Sequence, residues 1–189
     1  MIVEWVVIAV VAAVVLAAIL IYNRLVRLRN YVREGWSGID VQLKLRADLV
    51  PNLVAAVKGY AAHERGVLDE VTAQRGAVLA AKDAGTAASA NAGLTGALGK
   101  LFAVAEAYPQ LKADANFREL QEQLAKIEND LQAARRYYNG TARDLNSAIQ
   151  TFPDVLIAGP LGFKEAPFFA LDDPADAAVP AVSFGGAVP

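Results

Sequence analysis

The chain has 189 residues and a formal net charge of −2, with 18 Lys and Arg against 20 Asp and Glu, so it lacks the basic excess of a nucleic-acid binder. It contains no cysteine, which excludes disulfides, thiol chemistry and thiolate metal sites while leaving the compartment open. Once an apolar N-terminal run is set aside, the remaining chain is long enough for one domain with its own core.

That run is residues 2–21, IVEWVVIAVVAAVVLAAILI, with Glu4 as its only charge. As a helix it covers roughly 30 Å, the thickness of a bilayer's hydrocarbon core, and its length is carried by side chains such as Ile2, Trp5, Ile8, Leu16 and Ile21. No basic residue precedes it, as a cleavable signal would require, so residues 1–22 are expected to be a retained single-pass anchor. The positive charge follows instead, at Arg24, Arg27, Arg29 and Arg33, and this asymmetry favours an outside N-terminus and a cytoplasmic domain. The same arginines also suit an ordinary solvated helix face.

Beyond the anchor the periodicity is helical and nothing alternates like a strand. Leu25, Leu28, Val32, Trp36, Ile39 and Leu43 form one face, giving a first helix over about 23–47 that continues the span. Asp48 as a cap and Pro51 in a first turn predict a second helix over about 49–83. Residues 83–93, DAGTAASANAG, read as a flexible connection, and a third helix over about 94–107 stops at Tyr108-Pro109. The fourth, about 116–152, starts with Asn116 as cap and carries the strongest repeat in the chain, Phe117, Leu120, Leu124, Ile127, Leu131, Ala134, Tyr138, Thr141, Leu145, Ala148 and Phe152.

Such helices bury their stripes by packing together, so the expected fold is all-α: a transmembrane helix continuing into an antiparallel four-helix bundle over 23–152 with long coiled-coil-like helices. Residues 153–170 are too apolar for a free loop and either dock on the bundle or form an interface. Residues 171–189, rich in small residues and prolines, are expected to be a mobile tail.

Candidate sites are few. His63 is the only histidine, and His63-Glu64 lacks the second histidine of a zinc-hydrolase motif, so no metal, cofactor or catalytic residue is expected. Glu64 and Arg75 share a helix direction, and Arg135 and Asn139 occupy the facing stretch, so these four either form an enclosed polar network or flank the core in solvent. Asn139-Gly140-Thr141 matches a glycosylation sequon inside a helix, where a chance match is the better reading. Gly93, Gly96 and Gly99, spaced by three, offer a smooth face for another helix or mark a weak one. With Phe152, Phe163, Phe168 and Phe169 they make up the candidate interface.

The runs Tyr22-Asn23-Arg24-Leu25-Val26, Trp36-Ser37, Ile39-Asp40-Val41-Gln42-Leu43-Lys44, Arg46-Ala47-Asp48-Leu49-Val50-Pro51-Asn52-Leu53-Val54, Val57-Lys58-Gly59-Tyr60 and His63-Glu64 resemble the LemA family. The resemblance continues through Tyr108-Pro109, Asn116-Phe117, Tyr138-Asn139, Phe152-Pro153 and Gly162-Phe163, covering nearly everything from 20 to 170. It implies a bacterial single-pass membrane protein with a helical bundle, and relatives that take part in forming magnetosome membranes. Gly35 and Gly38 depart from the better helix formers expected there. The resulting expectation is a non-enzymatic scaffold of the inner membrane, a homo-oligomer that organises or shapes the bilayer. The alternative is a tethered adaptor that recruits another membrane protein, such as a protease or signalling enzyme.

Overall fold

The computed structural model describes residues 1–61 and 63–169, and among them every regular element is helical. Helix α1 runs unbroken over Ile2–Tyr60, followed by α2 (Arg65–Ala80), α3 (Ala84–Glu106), the short α4 (Pro109–Ala113), α5 (Ala115–Gln150) and the single turn α6 (Val155–Ala158). The expected tail, 171–189, lies outside the described residues.

The break expected between 47 and 49 is absent, because α1 passes straight through Asp48 and Pro51. An interior proline removes the hydrogen bond to the carbonyl four residues earlier, here Ala47. That carbonyl is not orphaned: Arg75 Nε of α2 donates to it at 2.8 Å. A side chain from the neighbouring helix thus replaces the missing backbone donor, and the helix continues to Tyr60. The real break falls after Tyr60, where α1 ends, with α2 starting at Arg65, whereas the expected second helix runs on through this point. Two glycines within eight residues, Gly59 and Gly66, weaken helix at that point.

Residues 83–93 are the first half of α3 rather than a connection. Asp83 caps it, its Oδ1 accepting from the Thr86 N–H at 2.9 Å while Thr86 Oγ1 accepts from the Asp83 N–H, a capping box. The alanines that made this stretch look featureless are the best helix formers available. Ala84, Ala87 and Ala88 are buried where α3 approaches its neighbours. The cap of α5 is Asp114, whose Oδ1 accepts from the Phe117 N–H at 2.9 Å, so the helix starts just before Asn116 and ends at Gln150, leaving Phe152 outside it.

Contacts between α1 and α5 pair rising numbers on one with falling numbers on the other. A Cβ placed on Gly35 would lie 3.0 Å from the Tyr138 Cα, and Arg46 Nη2 lies 3.2 Å from Glu128 Oε2. Tyr60 Oη donates to Asp114 Oδ2 at 3.4 Å. Helices α2 and α3 pack on each other and on α1. Lys100 Nζ bonds Glu70 at 2.7 Å, and Gly93 lies directly under the Gln74 side chain. One core joins Ile39, Leu43, Val50, Leu53 and Val57 of α1 to Leu68 and Val71 of α2, Leu94, Leu98 and Leu101 of α3, and Phe117, Leu131 and Tyr138 of α5. A second, smaller cluster lies nearer the apolar run and holds Leu25, Leu145, Ala148, Ile149, Ala158 and Phe163.

Candidate functional site at the membrane end

Helix α1 is long and apolar enough near its N-terminus to cross a membrane. Ile2, Trp5, Ile8 and Leu16 are exposed, while Ile21 is half-buried against the smaller core cluster. In water such a surface is unfavourable over its whole length; in a bilayer each of those side chains meets acyl chains.

Arginines begin at the end of this run, and two of them hold the C-terminal segment. Arg24 Nη1 donates to Asp154 Oδ2 at 2.7 Å, and Asp154 is only 2% exposed. The Arg29 guanidinium lies 5.1 Å from the Phe163 ring centre, and Tyr22 meets the same ring edge-on at 6.0 Å. A cation over an aromatic face is attracted by the ring quadrupole, so Phe163 is fixed from two sides. Arg27 and Arg33 are exposed.

After a turn in which Gly162 adopts a φ of +71°, residues 163–169 run extended along α5. Asn146 Nδ2 donates to the Ala166 carbonyl at 2.9 Å while its Oδ1 accepts from the Ala166 N–H at 2.8 Å. Asn139 repeats the arrangement on Phe169, at 3.0 and 2.9 Å. Seven helical residues rise about 10 Å, and three extended residues span about the same distance, which is why two asparagines two turns apart meet two backbone positions three apart. Tyr138 Oη adds a bond to the Pro167 carbonyl at 2.7 Å. Burial raises the pKa of the Tyr138 phenol, which keeps it a hydrogen-bond donor.

The four residues considered as one polar network are distributed differently. Arg135 and Asn139 converge on Phe169, the Arg135 guanidinium lying 5.2 Å from its ring centre. Arg75 bonds Ala47, and Glu64 stands at the turn before α2. Ala134 faces Gly38, nine residues from Ala47 on α1, which separates the Arg135 and Arg75 positions by about 13 Å along the helix. One enclosed polar group among the described residues lies elsewhere and went unread in the sequence. It is Arg46, 3% exposed, bonded through Nη1 to Asn91 Oδ1 and paired with Glu128. Arg46 sits two turns beyond Ile39 on the buried face of α1, so the apolar stripe interrupted by a charge was its only signal.

The candidate interface also divides. Phe163 and Phe169 are buried within the chain, and Gly93 is covered by Gln74. Gly96 and Gly99 have open space where a side chain would be. Phe152 and Phe168 are exposed, the former at 79%. His63 lies at the turn rather than on a helix surface, and is exposed. Chemically, this end offers apolar surface, paired charges and backbone clamps.

A comparison with protein families matches residues 35–184 to the LemA family. The chain belongs to the LemA family. Curated relatives of this LemA-family chain include two proteins of Paramagnetospirillum magneticum, Magnetosome protein MamQ 1 and Magnetosome protein MamQ 2, each 25% identical over 185 aligned residues that cover 84% of this chain and 68% of the relative. Magnetosome protein MamQ of Magnetospirillum gryphiswaldense is 25% identical over 174 residues, covering 78% of this chain and 64% of its own length. The family and the apolar N-terminal helix together support a membrane location for this LemA protein.

Proposed function

We propose that this LemA protein is a non-enzymatic scaffold of the bacterial inner membrane, anchored by one span and self-associating to organise or shape the bilayer. The observation that carries this reading is α1 itself, a single helix whose first third is membrane-like and whose remainder forms one wall of the core. A domain joined to its anchor by continuous helix transmits orientation, which a flexible linker would not. The folded part is read as an antiparallel four-helix bundle with coiled-coil-like seams. Supporting that reading, Phe117, Leu124, Leu131, Tyr138 and Leu145 recur every seven residues along α5 and all are buried. The relatives' names, which tie them to magnetosomes, agree with a role at membranes.

Self-association is assigned to the outer faces of the folded part, where Val41, Leu45, Leu79 and Tyr137 are exposed and Gly96 and Gly99 leave room for a close neighbour. The arginines that follow the span support a cytoplasmic position for the domain. The test is electron microscopy and light scattering on the detergent-extracted full chain. A large symmetric homo-oligomer is the expected result. A monomer that co-purifies with one membrane protein would replace the scaffold with a recruiting adaptor. Protease added to intact spheroplasts should leave the folded domain whole, and digestion would reverse the orientation.

A further inference from the structure

Residues 152–163 are apolar apart from Asp154, and they turn the chain back along α5 beside the point where α1 leaves its apolar run. Ala158 and Phe163 face inward and are buried, whereas Phe152, Leu156 and Leu161 face outward, the last two 64% and 54% exposed. Leu156 and Leu161 share an apolar groove of about 430 Å³ with Val15 and Ile19 of α1. Val15 lies nine residues before Arg24, and Ile19 five, so the groove sits about 7–13 Å on the span side of the first arginine. Whatever surrounds Val15 and Ile19 also surrounds Leu156 and Leu161.

We propose that the α6 segment is a second membrane contact, a wedge whose Phe152, Leu156 and Leu161 insert among the lipid acyl chains of the leaflet from which α1 emerges. The inference rests on the reading that α1 spans the bilayer. Two further observations suit a segment immersed in lipid. Backbone groups in hydrocarbon must be satisfied internally. Here seven of the ten N–H groups from Phe152 to Phe163, those of Val155, Leu156, Ile157, Ala158, Leu161, Gly162 and Phe163, are bonded to carbonyls between Thr151 and Gly159, and Pro153 and Pro160 have no N–H to satisfy. The one charge in the segment, Asp154, is turned inward and neutralised by Arg24. Lys164 and Glu165, both exposed, follow where the chain returns toward water. The span fixes one axis through the membrane, and the wedge beside it fixes rotation about that axis.

The absence of cysteine makes the test direct. Single substitutions Leu156→Cys and Leu161→Cys are introduced into the full chain, with Val11→Cys in the span and Glu122→Cys on the exposed face of α5 as references. Each variant is spin-labelled in vesicles of phosphatidylethanolamine and phosphatidylglycerol, and collisions with oxygen and with a water-soluble nickel chelate are measured. The expected result is that positions 156 and 161 lose nickel contact and gain oxygen contact relative to position 122, at a depth of about 5–10 Å below the headgroups. If position 11 is in lipid while 156 and 161 match 122, the wedge is overturned and the span stands. If 156 and 161 are shielded from both reagents, a second copy or another protein covers the face, and the wedge is again overturned. If position 11 itself meets the nickel chelate, the span and the wedge fall together.

Discussion

Arg75 supplies to Ala47 the hydrogen bond that Pro51 cannot, Nε to carbonyl oxygen at 2.8 Å across two helices. The two residues are coupled through a backbone carbonyl neither of them owns. Arg75→Ala should therefore lower stability by about 1.5–3 kcal/mol, the range for a hydrogen bond to a charged donor. In a Pro51→Ala background the backbone N–H returns and the loss from Arg75→Ala should shrink to a fraction of that. Thermal unfolding of the four members of the cycle measures the coupling, and equal losses in both backgrounds would refute it.

Gly35 and Gly38 differ although both interrupt the same helix. A Cβ at Gly35 meets the Tyr138 Cα at 3.0 Å, so the α5 backbone would have to shift, whereas a Cβ at Gly38 meets the Ala134 Cβ at an ordinary 3.8 Å. Overpacking at the first position costs about 1–3 kcal/mol, more than the roughly 0.5–1 kcal/mol that alanine gains over glycine in a helix. Gly35→Ala should lower the melting temperature and Gly38→Ala should raise it. A gain for both would show that α5 yields at Tyr138.

Arg46 is buried and bonded to both Asn91 and Glu128, so its removal is expected to be the most damaging single change in the core. Arg46→Ala leaves two polar partners and a void, for a loss of about 3–5 kcal/mol. Glu128→Gln keeps the shape and most contacts, and since Glu128 is partly exposed its loss should be nearer 1 kcal/mol. Urea unfolding ranks the two, and the reverse order would mean that the carboxylate, not the guanidinium, organises the site.

The Asp83 carboxyl is held below its ordinary range by the Thr86 backbone N–H first and the Thr86 side chain second. A carboxyl with a lowered folded-state pKa contributes stability above its unfolded-state value and loses it as pH falls through the folded one. The cap on α3 should weaken in acid, and Asp83→Asn should make local exchange at Ala84 to Ala88 less dependent on pH. Unchanged pH dependence of amide exchange in the variant would remove Asp83 from that role.

The parts of this fold visible in the sequence were those governed by periodicity. The apolar run, the α1 face through Ile39 and Leu43, and the α5 stripe from Phe117 to Leu145 repeat their burial at helical spacing, and burial follows that pattern. What stayed hidden depended on partners distant in the chain. Pro51 reads as a helix start until Arg75 is seen to cover Ala47, and Asn139 reads as polar seam or sequon until Phe169 is seen lying along it. Alanine and glycine around 83–93 carry little hydrophobic contrast, so the local signs of a helix there were the cap at Asp83 and alanine's helix propensity rather than a periodic stripe. The Arg24 to Asp154 pair joins positions 130 apart, a distance at which spacing has no information.

The continuity of α1 also makes the chain a lever. From Tyr22 to Val50 the helix extends about 42 Å beyond the apolar run at 1.5 Å per residue. A span longer than the local hydrocarbon thickness tilts to fit, and about 20° is ordinary for transmembrane helices. Such a tilt sweeps the far end of the lever sideways by about 14 Å, and α5, packed along the same stretch, is carried with it. Small differences in bilayer thickness at the anchor would become large displacements at the distal tip.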